Sequence, residues 1–468
     1  MPERTIFDNV SPLDFRYYGQ DEALQKLLDP YVTEHGRVLS EAMVEAAATR
    51  VLARRGICSE KVAEEVAKVC ADIDPSEVAA EESRIHHNIR ALVNTIQSKV
   101  SEDARPFVHF TLTSFDVVDS ATAWRLKNAA LQAVVPELVK LERVLIDLAR
   151  REKDTLQMGR THGQHAVPVT FGFAIAEYVS RLGTRLEAIK RAAEDMRGKI
   201  SGAVGAYNAS SLFFDNPVEF ETEVLAEIGL KPSLHSTQVV EAEYVADYVH
   251  ALLSAFGVLA NLADDMRHLQ RTEIAEVGEL FEAQQVGSST MPHKRNPWNF
   301  ENAKSMWKQF MPRMITVYMD QISEHQRDLT NSASARFLPE IVVALVSTTR
   351  RMARIMGKLV TDQERMKQNF AMTQGMIAAE PAYILFAAYG HPDAHEAVRK
   401  LTLCAQKECR PLAECIFEDE ELKPWLAKLT EEQLCVLRDP TCYTGYAAEK
   451  TAAICDEWEG QLSAISGQ

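Results

Sequence analysis

The chain has 468 residues, 46% of them apolar and 25% charged, the balance of an ordinary soluble protein with room for two or three domains and a large core. Its formal charge of −16 argues against nonspecific nucleic-acid binding, which needs a basic face, and requires any polyanionic ligand to be met by local arginines and lysines. The eight cysteines form no C-x-x-C pair and Met1-Pro2-Glu3-Arg4 lacks the apolar core of a signal peptide, so reduced thiols in a cytoplasmic protein are expected, with no zinc site, disulfide framework or run of transmembrane length.

Up to residue 112 the pattern predicts short helices, broken near Gly56, Pro75 and Arg105-Pro106. Long helices are predicted over 121–154, 171–197, 237–272, 300–323 and 339–360. The clearest runs from Gln238 to Arg271, where Val245, Leu252, Leu259 and Met266 recur every seven residues between Val249, Phe256 and Ala263. That spacing buries one stripe against neighbouring helices, as in a bundle. Gly257 is its one local weakness. After Gln363 shorter helices return, punctuated by Gly375, Gly390-His391-Pro392 and Pro424. Strand signals of period two are nearly absent. The fold class is therefore all-α, in three helical domains: 1–112, a long central bundle over 113–362, and 363–468. No P-loop, dinucleotide fingerprint or metal-ligand spacing interrupts it, so neither cofactor nor metal is expected.

The most informative stretch is Gly287-Ser288-Ser289-Thr290-Met291-Pro292-His293-Lys294-Arg295-Asn296-Pro297. Glycine frees the backbone at its start, and the prolines resist helix at Met291 and Asn296. Hydroxyls, a lysine and backbone N–H groups can converge there on one anion, as an oxyanion-type site requires. A plain polar surface loop has a similar composition, but this long contiguous string resembles the signature loop of the fumarase/aspartase superfamily. Those enzymes eliminate fumarate or a close relative from a succinyl-type substrate. The resemblance implies three helical domains, a homotetramer built on the central bundles, and active sites each shared by three subunits.

Further segments narrow the resemblance to the adenylosuccinate lyase branch. Arg160-Thr161-His162-Gly163-Gln164 is similar to that family's R-T-H-G-Q, whereas a 3-carboxymuconate cycloisomerase typically carries Trp at this histidine. A histidine titrates near neutrality and can protonate a leaving nitrogen. Alone His162 would read as structural; by resemblance it is the general acid, with Glu301 as the carboxylate that pairs with it. Arg84-Ile85-His86-His87-Asn88-Ile89 reads as helix, with the two histidines on different faces. His87 matches the family's H-D-[VI] segment and would bind phosphate and support proton transfer. Asn88 departs from the usual Asp and cannot raise that histidine's pKa as a carboxylate would.

Thr111-Leu112-Thr113-Ser114-Phe115-Asp116 resembles T-S-x-D-[VI], whose Thr113 and Ser114 would contact the succinyl carboxylate at a helix start. Thr111 and Phe115 depart from the small or polar residues usual there. Ser236-Thr237-Gln238 opens the heptad helix, and Gln238 matches a substrate-binding glutamine. Arg327-Asp328-Leu329-Thr330-Asn331-Ser332 through Arg336 resembles R-D-L-T-x-S-x-x-x-R and makes Arg327, Ser332 and Arg336 nucleotide-binding residues. Either arginine can grip a phosphate or carboxylate bidentately. Ser11-Pro12-Leu13-Asp14-Phe15-Arg16-Tyr17 is similar to S-P-[LV]-D-G-R-Y, so that Arg16 and Tyr17 would reach the phosphate. Ala378-Ala379-Glu380-Pro381 adds a weaker match near the C-terminus.

The resemblance implies β-elimination of fumarate from adenylosuccinate and from the analogous succinyl-carboxamide ribotide. Ser288 would be the base that removes the proton α to a carboxylate, Ser289 being the alternative within the pair. Lys294 and Asn296 would stabilise the dianionic aci-carboxylate. Two other readings remain open: a sister lyase or cycloisomerase acting on argininosuccinate or 3-carboxymuconate, and a non-catalytic structural relative.

Overall fold

Capping residues divide the N-terminal region into helices that are short as expected except for one of 21 residues, Glu34–Arg54, which is longer than several of the central ones. The computed structural model describes residues 6–281, 287–291, 293–373 and 375–466. Its first helices used below are α1 (Glu34–Arg54), α2 (Pro75–Ile85) and α3 (Asn88–Lys99). Asp74 accepts from the Ser76 N–H and Pro75 occupies the first turn of α2, both standard ways to start a helix. The chain then breaks: His86 is left-handed at φ 57°, and His87 becomes the N-cap of α3. The expected continuous helix through this pair is thus corrected to a turn between two helices.

Thr113 starts the central region, its N–H donating to Asp116 Oδ2 at 2.8 Å. Helix α4 (Ser114–Ala129) widens into a π turn over Ala130–Val134 and continues as α5 (Val135–Arg151). Pro136 lacks the N–H that would close the preceding turn, which accounts for the widening just before it. The near absence of strands holds apart from three short two-stranded pairings, one of which bears on the site. Strands β1 (Leu156–Thr161) and β2 (Gln164–Thr170) form an antiparallel hairpin that carries the R-T-H-G-Q string. Helix α6 (Phe171–Glu194) follows at once, capped by Thr170.

The heptad helix, α7 (Glu243–Leu269), begins five residues later than Gln238, so Ser236–Gln238 lie in the preceding loop and not at its cap. Leu252, Leu259, Met266, Val249, Phe256 and Ala263 are all buried, as their spacing demanded. By length and hydropathy α7 could cross a membrane, against the expectation that no run would approach that length, yet 67% of its most apolar window is buried in the bundle. The predicted 300–323 helix splits at Pro312 into α8 (Trp298–Phe310) and α9 (Arg313–Met319); α10 (Leu338–Met356) completes the set.

Helix α5 packs on α6 and α10, α6 on α7, and α7 on α8 and α10, so the all-α architecture expected from periodicity is the one that folds. One continuous apolar core runs from Leu13 through this bundle. A second core joins α11 (Ala379–Ala388), α12 (Ala394–Glu408), α13 (Leu412–Glu418) and α14 (Glu431–Arg438). The last helix, α15 (Ala447–Ser466), returns to α5 and α6. Gly183 of α6 permits that return, since a Cβ there would sit 2.3 Å from the Trp458 ring.

Candidate active site

A cleft of about 1140 Å³ opens where α3, the start of α4, the loop before α7 and the 323–339 segment meet. It gathers His87, Asn88, Ser114, Gln238, Arg327, Ser332 and Arg336, together with Phe115 and Asp119. Thr113 lies just outside that lining. Two hydrogen bonds from backbone N–H groups tie the walls together. The Gln238 N–H donates to the Gln326 carbonyl at 3.2 Å, and the Val240 N–H donates to Asp119 Oδ2 at 2.9 Å. His87 Nδ1 accepts from the Arg90 N–H at 3.2 Å, so that nitrogen is unprotonated and the ring proton sits on Nε2.

Among the described residues neither Arg327 nor Arg336 makes an ion pair. Two uncancelled cations beside helix N-termini answer the charge problem of a strongly acidic protein meeting an anion. Burial pushes the nearby Asp119 carboxyl up to about 6, against the pull of the Val240 N–H and of Lys199 and Arg327.

The signature loop stands apart from this lining. Asn296 Nδ2 donates to the Gly287 carbonyl at 2.9 Å and closes its neck. Only glycine fits there, because a Cβ on Gly287 would lie 2.3 Å from the Lys294 carbonyl oxygen. Ser288, half-buried, accepts at Oγ from the N–H groups of Met291 (3.1 Å) and Thr290 (3.4 Å). Ser289 and Lys294 are exposed. Pro292 lies outside the described residues.

His162 sits at the tip of the β1–β2 hairpin. Thr161 pairs with Gln164, and His162 and Gly163 form a two-residue turn with φ 55° and 72°, the twist that suits a tight hairpin. The ring is exposed, and within the chain no hydrogen bond or ion pair joins it to Glu301, itself exposed in the first turn of α8. Arg16, exposed, and Tyr17 lie near the other end of the loop. Asn302 of α8 donates to Tyr17 Oη at 3.0 Å, and the Arg351 guanidinium lies 5.9 Å from the Tyr17 ring centroid. One chain thus collects the cleft residues in one place and leaves Ser288, Lys294, Asn296, Glu301, His162, Arg16, Tyr17 and Thr113 off its lining.

Three buried carboxylates hold these parts: Glu276 and Glu279, which sequence reasoning missed, and Asp116, the acid of the T-S-x-D-[VI] string, to which it gave no role. Glu276 grips Arg160 at 2.5 Å and also accepts from Gln157 and Asn369, which roots the hairpin. Glu279 accepts from the Asn299 and Phe300 N–H groups at 3.0 and 3.2 Å and caps α8 below the loop. Asp116 pairs with fully buried Lys199 and accepts from the Gly202 N–H at 3.1 Å. For Glu276 and Glu279 the only sequence signal was acids within an otherwise apolar run, Ile274–Leu280.

The sequence model of a lyase family matches residues 4–311, and that of the adenylosuccinate lyase C-terminal region matches residues 323–434. Adenylosuccinate lyase from Pyrococcus abyssi is 34% identical over 94% of this chain and 96% of its own length. The Archaeoglobus fulgidus protein of that name is 33% identical over 95% and 98%. Among solved structures, a 3-carboxy-cis,cis-muconate lactonizing enzyme from Pseudomonas putida superposes with a TM-score of 0.80 at 24% identity, covering 94% of this chain and 100% of that one. A fumarate lyase from Mesorhizobium sp. BNC1 gives 0.79 at 24% identity, covering 92% and 97%. These two share the fold.

Proposed function

We propose, since the chain belongs to the adenylosuccinate lyase family, that it cleaves N6-(1,2-dicarboxyethyl)-AMP to AMP and fumarate. On the same reading it releases fumarate from the succinyl-carboxamide ribotide of purine nucleotide synthesis. The observation that carries this is the cleft, where Arg327, Ser332 and Arg336 face the same space as His87, Ser114 and Gln238. An uncompensated pair of arginines suits a phosphate, and the hydroxyl at the α4 start suits a carboxylate.

The difficult step is removal of a weakly acidic proton α to a carboxylate. Ser288 takes it as an alkoxide. The two backbone N–H groups aimed at its Oγ favour the charged form, as hydrogen bonding to an anion does. The electron pair left on carbon is delocalised into the carboxylate, and Lys294 and Asn296 stabilise the resulting aci-carboxylate dianion. That pair then forms the fumarate double bond as the C–N bond breaks, and His162 gives its proton to the departing purine nitrogen. Glu301 orients the His162 ring, His87 supports the transfer, and Arg16 and Tyr17 reach the phosphate.

His162 and Lys294 are exposed and away from the cleft of their own chain. We therefore assign each complete site to several subunits of a homotetramer. Exposed Trp298, Met311, Ile315, Tyr318, Met319 and Ile322 on and beside α8 and α9 supply apolar surface of the kind that marks association. Eight cysteines without a disulfide suit a cytoplasmic location.

A spectrophotometric assay of purified protein with adenylosuccinate, paired with a fumarate measurement, tests the activity. Turnover of argininosuccinate or 3-carboxymuconate with none of adenylosuccinate would move the chain to a sister reaction.

A further inference from the structure

Phe115 lines the cleft, and the structure shows what its ring touches. It is the second residue of α4, and the Arg327 guanidinium lies over its face, 5.0 Å from the centroid. Arg327 Nη2 donates to Asn331 Oδ1, while its Nε is buried without a partner. Asp119, one turn beyond Phe115 on the same face of α4, is the carboxylate that could have held this arginine. Instead it accepts from the Val240 N–H and makes no ion pair with Arg327.

The choice of partner matters. A carboxylate would fix the guanidinium but cancel its charge, leaving little for a ligand. An aromatic face fixes it through the ring quadrupole and leaves the charge intact. A long side chain already held in place also loses less freedom when ligand arrives.

We propose that Phe115 is a positioning residue, whose ring holds the Arg327 guanidinium toward the cleft for an anionic group of the substrate without neutralising it. This rests on reading the cleft as a nucleotide site. It makes the aromatic ring at this position a determinant of substrate affinity, acting only through Arg327.

The test is a double-mutant cycle on the full-length enzyme, with Phe115→Leu, Phe115→Tyr, Arg327→Gln and the Phe115→Leu/Arg327→Gln pair. KM and kcat are measured for adenylosuccinate, and AMP affinity by calorimetry. Phe115→Leu should raise KM about tenfold with kcat little changed, in the range a desolvated cation–π contact supplies. Phe115→Tyr, which keeps the ring, should restore most of the wild-type KM. On the Arg327→Gln background Phe115→Leu should add almost nothing. A leucine penalty that persists undiminished on that background, or a tyrosine variant as impaired as leucine, overturns the proposal. Should Phe115→Leu fail to fold, judged by circular dichroism and thermal melting, Phe115→Met takes its place in the cycle. Coupling seen in AMP affinity without any fumarate release by wild type would overturn the lyase reading and leave the positioning role standing.

Discussion

The cleft and the two projecting segments solve opposite problems. In the cleft, polar groups sit at helix starts or on loops cross-bonded to one another: His87 caps α3, Ser114 opens α4, and Gln238 is tied through its N–H to the Gln326 carbonyl. These groups line one cleft within a single chain. The hairpin tip and the signature loop instead present His162 and Lys294 to solvent. Their roots, not their tips, are rigid: Arg160 is locked to buried Glu276, and α8 is capped by buried Glu279. On the proposed reading the groups of the cleft are preorganised by local structure, whereas His162 and Lys294 are held out on rooted arms to complete a site of a neighbouring subunit.

The sharpest way to separate arm from cleft is Ser288→Ala. We expect kcat to fall at least about 10²-fold, as loss of a general acid–base group does, with substrate binding retained because the cleft is untouched. If Ser289→Ala is the damaging change and Ser288→Ala is nearly silent, the base is misassigned. The arms also predict complementation. Inactive Ser288→Ala and His162→Ala subunits, mixed and reassembled, should regain part of the activity. Demonstrated subunit exchange with no recovered turnover would place both residues in service of the same chain's site.

The cleft has a buried root of its own in the Asp116–Lys199 pair. Both side chains are fully buried, and Asp116 also receives the N–H groups of Thr113 and Gly202. Lys199→Met would leave that carboxylate buried and unpaired, a change that typically costs about 3–5 kcal/mol. Chemical denaturation should show a loss of that order. Substrate affinity should fall with it, because the start of α4 loses its brace. A loss of under about 1 kcal/mol, the scale of a surface pair, would mean that the cleft wall does not depend on this interaction.

Much of this was legible in the sequence, and the misses share a cause. Long helices announced themselves through Val245, Leu252, Leu259 and Met266, a periodicity that needs no knowledge of partners. The signature loop was legible because its residues are contiguous. The hairpin was missed although His162-Gly163 is a two-residue turn flanked by Val167 and Val169, because Pro168 argues against a strand. Glu276 for Arg160 and Phe115 for Arg327 could not be paired at all, since each contact joins positions distant in the chain and no local pattern records it.

Arg336→Leu probes the cleft more gently. Arg336 is exposed, lines the cleft and makes no ion pair among the described residues, so its removal leaves no buried partner behind. A charge-assisted contact is worth about 1.5–3 kcal/mol, and KM for adenylosuccinate should rise roughly ten- to a hundredfold with kcat largely kept. The dephosphorylated nucleoside should be a poor substrate for wild type and little affected by the change. An equal penalty on both would assign Arg336 to a part of the ligand other than its phosphate.

The smallest effect belongs to a group that serves neither region. Glu142 of α5 is fully buried, and neither carboxyl oxygen has a partner. Burial raises its pKa well above the usual carboxylate value. The titratable group set beside it is Cys455 of α15, whose thiol burial pushes up to about 11, so no counter-charge is supplied. Because the folded pKa is the higher one, the folded state holds an extra proton. Its contribution is intact below the unfolded pKa and is lost as pH rises toward the folded value. Glu142→Leu removes both the unpaired polar group and the titration. It should stabilise the protein by about 1–3 kcal/mol near neutral pH, the cost of a buried unpaired polar group. The gain should shrink as pH falls toward 5, where wild type keeps its proton more easily. Melting curves of the two proteins across that range decide the matter: a variant that melts below wild type at every pH would mean that the Glu142 carboxyl supports the bundle and does not burden it.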